Sequence, residues 1–156
     1  YDAVGNRTLR VINGDPSSVY LATKIDPPHA GVLTKDPNLE WYPLGTPVTL
    51  TAEPAGFGPL CEFAQWTGDV PMGHEFDNPL SLTMDNYKSI TAHFTTSLGD
   101  ADQDCDLDLL DFGSLQKCFG LHPLPPGCEM FDLDSSGLVD WADVELWIQA
   151  MTGPRE

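Results

Sequence analysis

Twelve consecutive residues, Asp100-Ala101-Asp102-Gln103-Asp104-Cys105-Asp106-Leu107-Asp108-Leu109-Leu110-Asp111, place carboxylates at positions 1, 3, 5, 7, 9 and 12. The frame returns 32 residues later as Asp132-Leu133-Asp134-Ser135-Ser136-Gly137-Leu138-Val139-Asp140-Trp141-Ala142-Asp143. Hard oxygens at this spacing suit calcium, which takes roughly six to eight oxygen ligands and can be wrapped by one twelve-residue loop. In such a loop position 7 offers its backbone carbonyl, position 9 works through water, and position 12 can bind with both oxygens. A single acidic run is usually just a solvated face. Two frames, each followed by a helical pattern, favour a cation. Without one, six aspartates in twelve residues repel and hold the loop open.

Each loop needs a helix behind it. Leu109, Phe112, Leu115 and Phe119 make one apolar stripe, ended by Gly120; Trp141, Val144, Ile148 and Met151 make the other, ended by Gly153-Pro154. The apolar residues at position 8, Leu107 and Val139, are expected to join the loops by a short β-bridge.

The rest of the chain is written differently. Residues 1–99 carry 11 acids and 5 bases, whereas residues 100–156 carry 13 acids and only 2 bases. A boundary falls at Thr95–Gly99. Before it, Val48–Ala52, Leu80–Met84 and Lys88–Phe94 alternate apolar and polar residues with period two, the signature of half-buried strands. Val19–Ile25, Ala30–Lys35 and Leu60–Trp66 are further strands, and Asp85-Asn86-Tyr87 is read as the turn of a hairpin joining the last two alternating runs. The expected core is Leu21, Ile25, Val48, Leu50, Phe63, Trp66, Leu80, Leu82, Ile90, Ala92 and Phe94. The fold class is therefore α+β in two parts: residues 18–96 form a small all-β sandwich or barrel-like domain, and residues 99–156 a pair of loop–helix motifs. Residues 1–17 supply an N-terminal strand, Val4–Asn13, and a linker. That strand either pairs within its own sheet or is donated to the sheet edge of a neighbour.

The ordered pieces Pro27-Pro28-His29-Ala30-Gly31-Val32, Gly45–Ala52, Phe63-Ala64-Gln65-Trp66-Thr67-Gly68-Asp69, Asn78-Pro79-Leu80 and Ile90–Phe94 resemble a bacterial extracellular repeat module over residues 18–95. That resemblance implies a non-catalytic spacer or interaction unit on a bacterial surface. The duplicated loop–helix pattern, with Asp at position 12 and the openings Gly99-Asp100-Ala101-Asp102 and Phe131-Asp132-Leu133-Asp134, resembles a type I dockerin over residues 99–153. The resemblance implies two calcium ions. Asp100, Asp102, Asp104, Asp106, Asp108 and Asp111 would hold the first. Asp132, Asp134, Ser136, Leu138 through its carbonyl, Asp140 and Asp143 would hold the second. It also implies that positions 10 and 11 face a cohesin-type partner; here these are Leu109, Leu110, Trp141 and Ala142, an apolar set in place of small hydroxyl residues. Trp141 is equally readable as core. Two departures stand out. Cys105 holds position 6, where glycine normally takes a positive φ, at a cost of roughly 1 kcal/mol. Ser136 replaces an aspartate, so the two sites should differ in affinity.

Four cysteines allow three pairings. Cys118 and Cys128 bracket a proline-rich turn and are expected to bond; Cys61 and Cys105 are then either a second bridge stapling the two parts or two free thiols. Disulfides place the chain in an oxidising compartment, extracellular or at a bacterial cell surface. Asn6-Arg7-Thr8 is a glycosylation sequon. The chain opens at Tyr1 without an initiator Met, as expected of a processed or excised piece whose export signal lies outside it.

Several function classes fall away. A net charge of −17 repels phosphate backbones and anionic membranes, so nucleic acid is no partner, and no apolar run reaches the length of a membrane span. No cysteine pair has zinc-ligand spacing. His29, His74, His93 and His122 are scattered, with neither an HExxH pair nor a nucleophile elbow. His93, inside a strand, reads as a cross-strand surface residue. Trp41, Tyr42 and Phe57 read as core or loop anchors more readily than as a sugar-stacking patch. A calcium sensor with an opening groove is disfavoured by a Cys118–Cys128 bridge. The sequence thus points to a non-catalytic, calcium-stabilised extracellular assembly module whose protein partner is a copy of itself, joined through the N-terminal strand. The alternative is a C-terminal anchor docking a larger secreted enzyme or adhesin on a cohesin-type partner.

Overall fold

The computed structural model describes residues 17–55 and 61–151. The candidate strand Val4–Asn13, the Asn6 sequon and Phe57 lie outside the described residues. In chain order the elements are β1 (Ser18–Val19), β2 (Leu21–Asp26), β3 (Gly31–Asp36), β4 (Tyr42–Pro43), β5 (Thr46–Pro54), β6 (Cys61–Gly68), β7 (Leu80–Met84), β8 (Lys88–Thr96), α1 (Leu109–Cys118), a single 3₁₀ turn (Glu129–Phe131) and α2 (Trp141–Ala150).

Period-two alternation sends every second residue of the strands inward. Val48, Leu50 and Ala52 of β5, Leu80, Leu82 and Met84 of β7, and Ile90, Ala92 and Phe94 of β8 are all buried in one cluster with Leu21, Tyr42 and Trp66. Two three-stranded sheets enclose it, β2-β8-β6 and β3-β5-β7, and β1 pairs with β4. The sheets stay separate and do not close into a barrel. β2 runs parallel to β8, and all other pairings are antiparallel. Ile25 and Phe63, expected in the core, are partly buried against it.

The expected hairpin at Asp85-Asn86-Tyr87 does not form. β7 pairs with β5 and β8 with β6 and β2, so this turn carries the chain from one sheet to the other. Alternation fixes which face of a strand is apolar; two strands facing each other across a core satisfy it as well as two neighbours in one sheet.

Trp66 explains how the free edge of β6 is covered. Its amide donates to the Glu75 carbonyl at 2.7 Å and its indole N–H to the Asp77 carbonyl at 2.8 Å, which folds the β6–β7 loop over that edge. On the outer face, His93 of β8 reaches Asp26 of β2 through Nδ1 (3.1 Å) and Thr67 of β6 through Nε2 (2.8 Å), stitching all three strands. Tyr42 is fully buried, and its hydroxyl donates to the Pro37 carbonyl at 2.9 Å, so it is a loop anchor.

A second buried cluster holds Leu107, Leu115, Phe131, Val139, Val144 and Trp147 around the Cys118–Cys128 disulfide. The helical faces differ from the expected stripes. α1 buries Asp111, Leu115 and Cys118, and leaves Leu109 75 % exposed; α2 buries Asp143, Val144 and Trp147, and leaves Trp141 71 % and Ile148 57 % exposed. Phe119 and Met151 are exposed as well. The cause is the loop: an inward carboxylate at position 12 fixes the rotation of each helix, so the apolar face continues from it at i+4. Leu107 and Val139 meet in this cluster, but neither lies in an assigned strand or bridge. The Val139 carbonyl instead accepts from Gly120 N–H at 2.8 Å.

The remaining cysteines resolve as the second disulfide, Cys61–Cys105, which joins the head of β6 to the middle of the first aspartate loop. The Cys105 sulfur lies 3.2 Å from the Ala30 carbonyl oxygen. Being half of a disulfide it has no proton to donate, so this is a packing contact. At Gly99 (φ +90°) a Cβ would lie 3.0 Å from the Trp147 ring, whose indole N–H reaches the Gly99 carbonyl at 3.4 Å. Only glycine allows that approach. No helix among the described residues is long and apolar enough to cross a membrane.

Candidate metal centre

Both aspartate loops are folded by their own carboxylates, in matching ways. At position 1, Asp100 accepts from the amides of Asp104 (3.2 Å) and Cys105 (3.1 Å), and Asp132 from those of Ser136 and Gly137 (both 2.9 Å). At position 12, Asp111 accepts from Ala101 N (2.7 Å) and Asp108 N (2.9 Å), and Asp143 from Leu133 N (2.7 Å) and Asp140 N (2.8 Å). At position 9, Asp108 and Asp140 cap their helices, each accepting at 2.7 Å from the amide two residues on and completing a reciprocal capping box with the position-12 aspartate.

The backbone repeats too. Position 4 is left-handed in both loops (Gln103 φ 61°, Ser135 φ 59°), and so is position 6 (Cys105 φ 72°, Gly137 φ 87°). Cys105 therefore adopts the conformation expected of a glycine, held there by its disulfide.

Among the described residues three carboxylate triads result, each offering oxygens within 4.8 Å of one another: Asp100, Asp102 and Asp111; Asp106, Asp108 and Asp111; and Asp132, Asp134 and Asp143. These acidic clusters could hold a metal ion. Asp111 belongs to both first-loop triads and Asp143 anchors the third. Asp100, Asp106, Asp111 and Asp143 are buried, whereas Asp102 and Asp134 open to solvent. Asp104 and Asp140 join none of these triads. The Ser136 hydroxyl donates to the Leu138 carbonyl at 3.1 Å, so these two second-loop residues are bonded to each other. Cys61 and Cys105 lie beside Asp100, but as a disulfide they offer no thiolate.

The electrostatics of the first loop oppose its charge. Desolvation in the loop, and after it the charges of Asp104, Asp111, Asp100 and Asp108, push the Asp102 carboxyl up to about 6. Burial also raises Asp100, against the lowering effect of the Cys105 amide. A cation among these oxygens would remove the repulsion.

The four residues at positions 10 and 11 are all at the surface: Leu109, Leu110, Trp141 and Ala142 are exposed. Trp141 is therefore not core. The residue that composition and stripe-reading missed is Trp147, three positions beyond Val144 and four beyond Asp143, which fills the space beneath both loops. Counting helical periods from the position-12 aspartate would have found it.

No protein-family model, no curated protein and no solved structure matches the chain.

Proposed function

We propose that this chain is a non-catalytic extracellular assembly module in which two calcium ions order a dockerin-like loop–helix pair joined to a β-sandwich. The duplicated loop geometry carries the reading: the same carboxylates tie the same amides in both loops, and the same two positions turn left-handed. The available donors are carboxylate, hydroxyl and carbonyl oxygens, a hard set that favours calcium over metals preferring nitrogen or sulfur. The first ion is assigned to Asp100, Asp102, Asp104, Asp106, Asp108 and Asp111, the second to Asp132, Asp134, Ser136, Leu138, Asp140 and Asp143. Two disulfides fit an oxidising, extracellular location. With its partner a second copy, the module assembles through its N-terminal strand.

Calorimetric titration of the chelator-treated chain with calcium tests the assignment. Two binding events of unequal affinity are expected, and Asp143→Asn should remove one of them. Absence of heat, together with a melting temperature indifferent to chelator, would sink the reading.

A second reading is favoured by one observation. Leu109-Leu110 and Trp141-Ala142 occupy equivalent exposed positions on the two helices. That is the surface by which a dockerin-type anchor would hold a cohesin-type domain, placing a larger secreted protein on it. Capture of such a domain, lost in Leu110→Asp, would select this reading.

A further inference from the structure

Between α1 and the start of α2 lies a cleft of about 300 Å³ lined by Phe112, Leu115, Gln116, Phe119, Trp141 and Val144. Buried Leu115 and Val144 form its floor; its walls are Phe119 and Trp141, edge to face at 5.3 Å and both exposed. The volume sits at the low end for small-molecule pockets and matches a pair of aliphatic side chains. Trp141, 71 % exposed at the start of α2, and Leu109 and Leu110, exposed at the start of α1, add apolar side chains at the surface of the two helices that line this cleft.

We propose that this cleft receives the segment Arg7-Thr8-Leu9-Arg10-Val11-Ile12 of a second copy, linking copies head to tail; the inference rests on the assembly reading above. Charge complementarity and chain length single out the occupant. The half that contains the cleft has 13 acids and 2 bases, whereas Arg7–Ile12 carries two arginines and no acid. Glu145, one turn after Trp141, adds a carboxylate beside the cleft that belongs to neither proposed calcium site. Leu9 and Val11 are two apart in sequence, the spacing that would let both enter one cleft if the segment binds extended. Of the segments outside the described residues, 152–156 has no aliphatic side chain, and 56–60 has no base and is tethered at both ends.

A segment seated in the cleft of its own copy would leave the chain monomeric, so the mass measured below distinguishes that from seating in another copy. Only Asn13–Pro16 separates Ile12 from Ser17, a span of at most about 17 Å. Ser17 is held at the β1–β4 pair, where its carbonyl accepts from Leu44 N–H at 2.7 Å. Three of the sheet edges, those of β6, β2 and β3, are poorer acceptors. β6 is covered by the Glu75 carbonyl, while β2 carries Lys24 and Asp26 and β3 carries Lys35 and Asp36. Seating this segment of one copy in the cleft of the next is a heterologous contact, and it propagates into open chains.

The test is the mass of the 156-residue chain in calcium, by light scattering across concentration. The unaltered chain is expected to grow with concentration, and to shrink in high salt. Leu9→Ser/Val11→Ser, which spoils the segment, and Trp141→Ser, which spoils the cleft, should each weaken association at least about tenfold. Mixed in equal amounts, the two variants should form a heterodimer and nothing larger, because one intact segment then meets one intact cleft. A chain that stays monomeric, a Trp141→Ser variant that associates as before, or a mixture that fails to pair each overturns the proposal. Calcium titration of the same samples keeps the two readings apart. Calcium binding without association overturns the docking alone, and loss of calcium binding overturns the reading beneath it.

Discussion

Cys105 is at once the sixth residue of the first aspartate loop and the disulfide partner of Cys61 at the head of β6. Its side chain is buried with the β core while its neighbours Asp104 and Asp106 belong to the loop. The loop path and the sandwich are therefore joined at one residue, and a change in either is felt by the other.

Breaking that joint should be costly. A closed loop of 44 residues corresponds to about 4 kcal/mol in the chain-entropy picture, against about 2.7 kcal/mol for the 10-residue Cys118–Cys128 loop. The choice of replacement also matters. With Cys61→Ala in both, Cys105→Gly should be more stable than Cys105→Ala by about 1 kcal/mol and melt correspondingly higher, since φ of 72° suits glycine. Equal melting temperatures would mean that position 6 relaxes once it is untied.

The two tryptophans of α2 should behave oppositely. Trp147 is 1 % exposed and fills the second cluster, so Trp147→Ala is expected to cost about 3–5 kcal/mol. Trp141, at the surface, should cost under about 0.5 kcal/mol when replaced by serine in the isolated chain. Denaturant unfolding of both variants checks this. A large loss at Trp141 would mean that it supports the fold.

Acid should stabilise the cation-free protein. Asp102 titrates at about 6 when folded, against an ordinary 3.8, so its neutral form is favoured by folding. Such a contribution is fully present below 3.8 and is lost as pH rises through about 6. Asp100 is raised as well and acts in the same direction. In chelator, the melting temperature should therefore rise between pH 7 and pH 5. Glu75, lowered by the amides of Glu75 and Gly73, and Asp85, lowered by Lys88, act with opposite sign, but only at more acidic pH. In calcium the trend should reverse, because protons compete for the same oxygens. A melting temperature that falls on acidification in chelator would show that the first loop does not crowd its charges.

Much of this arrangement was legible in the residues themselves. Every strand with period-two alternation formed where expected, because burying one face of a pleated ribbon leaves little choice. What alternation could not decide was partnership, hence the misassigned turn at Asp85-Asn86-Tyr87. The helices were legible as helices and misread in rotation. Leu109 and Trp141 look like core by spacing, but the caps Asp108 and Asp140 and the inward Asp111 and Asp143 turn them to solvent. Carboxylates that fold their own loop behave as buried residues, and a hydrophobic count does not see them. The Cys61–Cys105 bridge spans two parts with different grammar, so no local spacing could announce it.

Ser136 offers the sharpest test of the loops, because one substitution should act with opposite signs under two conditions. Its hydroxyl donates to the Leu138 carbonyl, and Asp132, Asp134 and Asp143 already hold three charges nearby. Ser136→Asp adds a fourth at the position Asp104 holds in the first loop. In chelator it should lower the melting temperature, through like-charge repulsion and loss of that hydrogen bond. In excess calcium it should tighten the second site by about tenfold or more and raise the melting temperature, since ligand charge sets calcium affinity in such loops and binding to the folded state alone is stabilising. Melts of Ser136→Asp and the parent chain, with calcium and with chelator, read both signs. The same sign in both would mean that no cation sits among Asp132, Asp134 and Asp143, and the acidic loops would then be structural only.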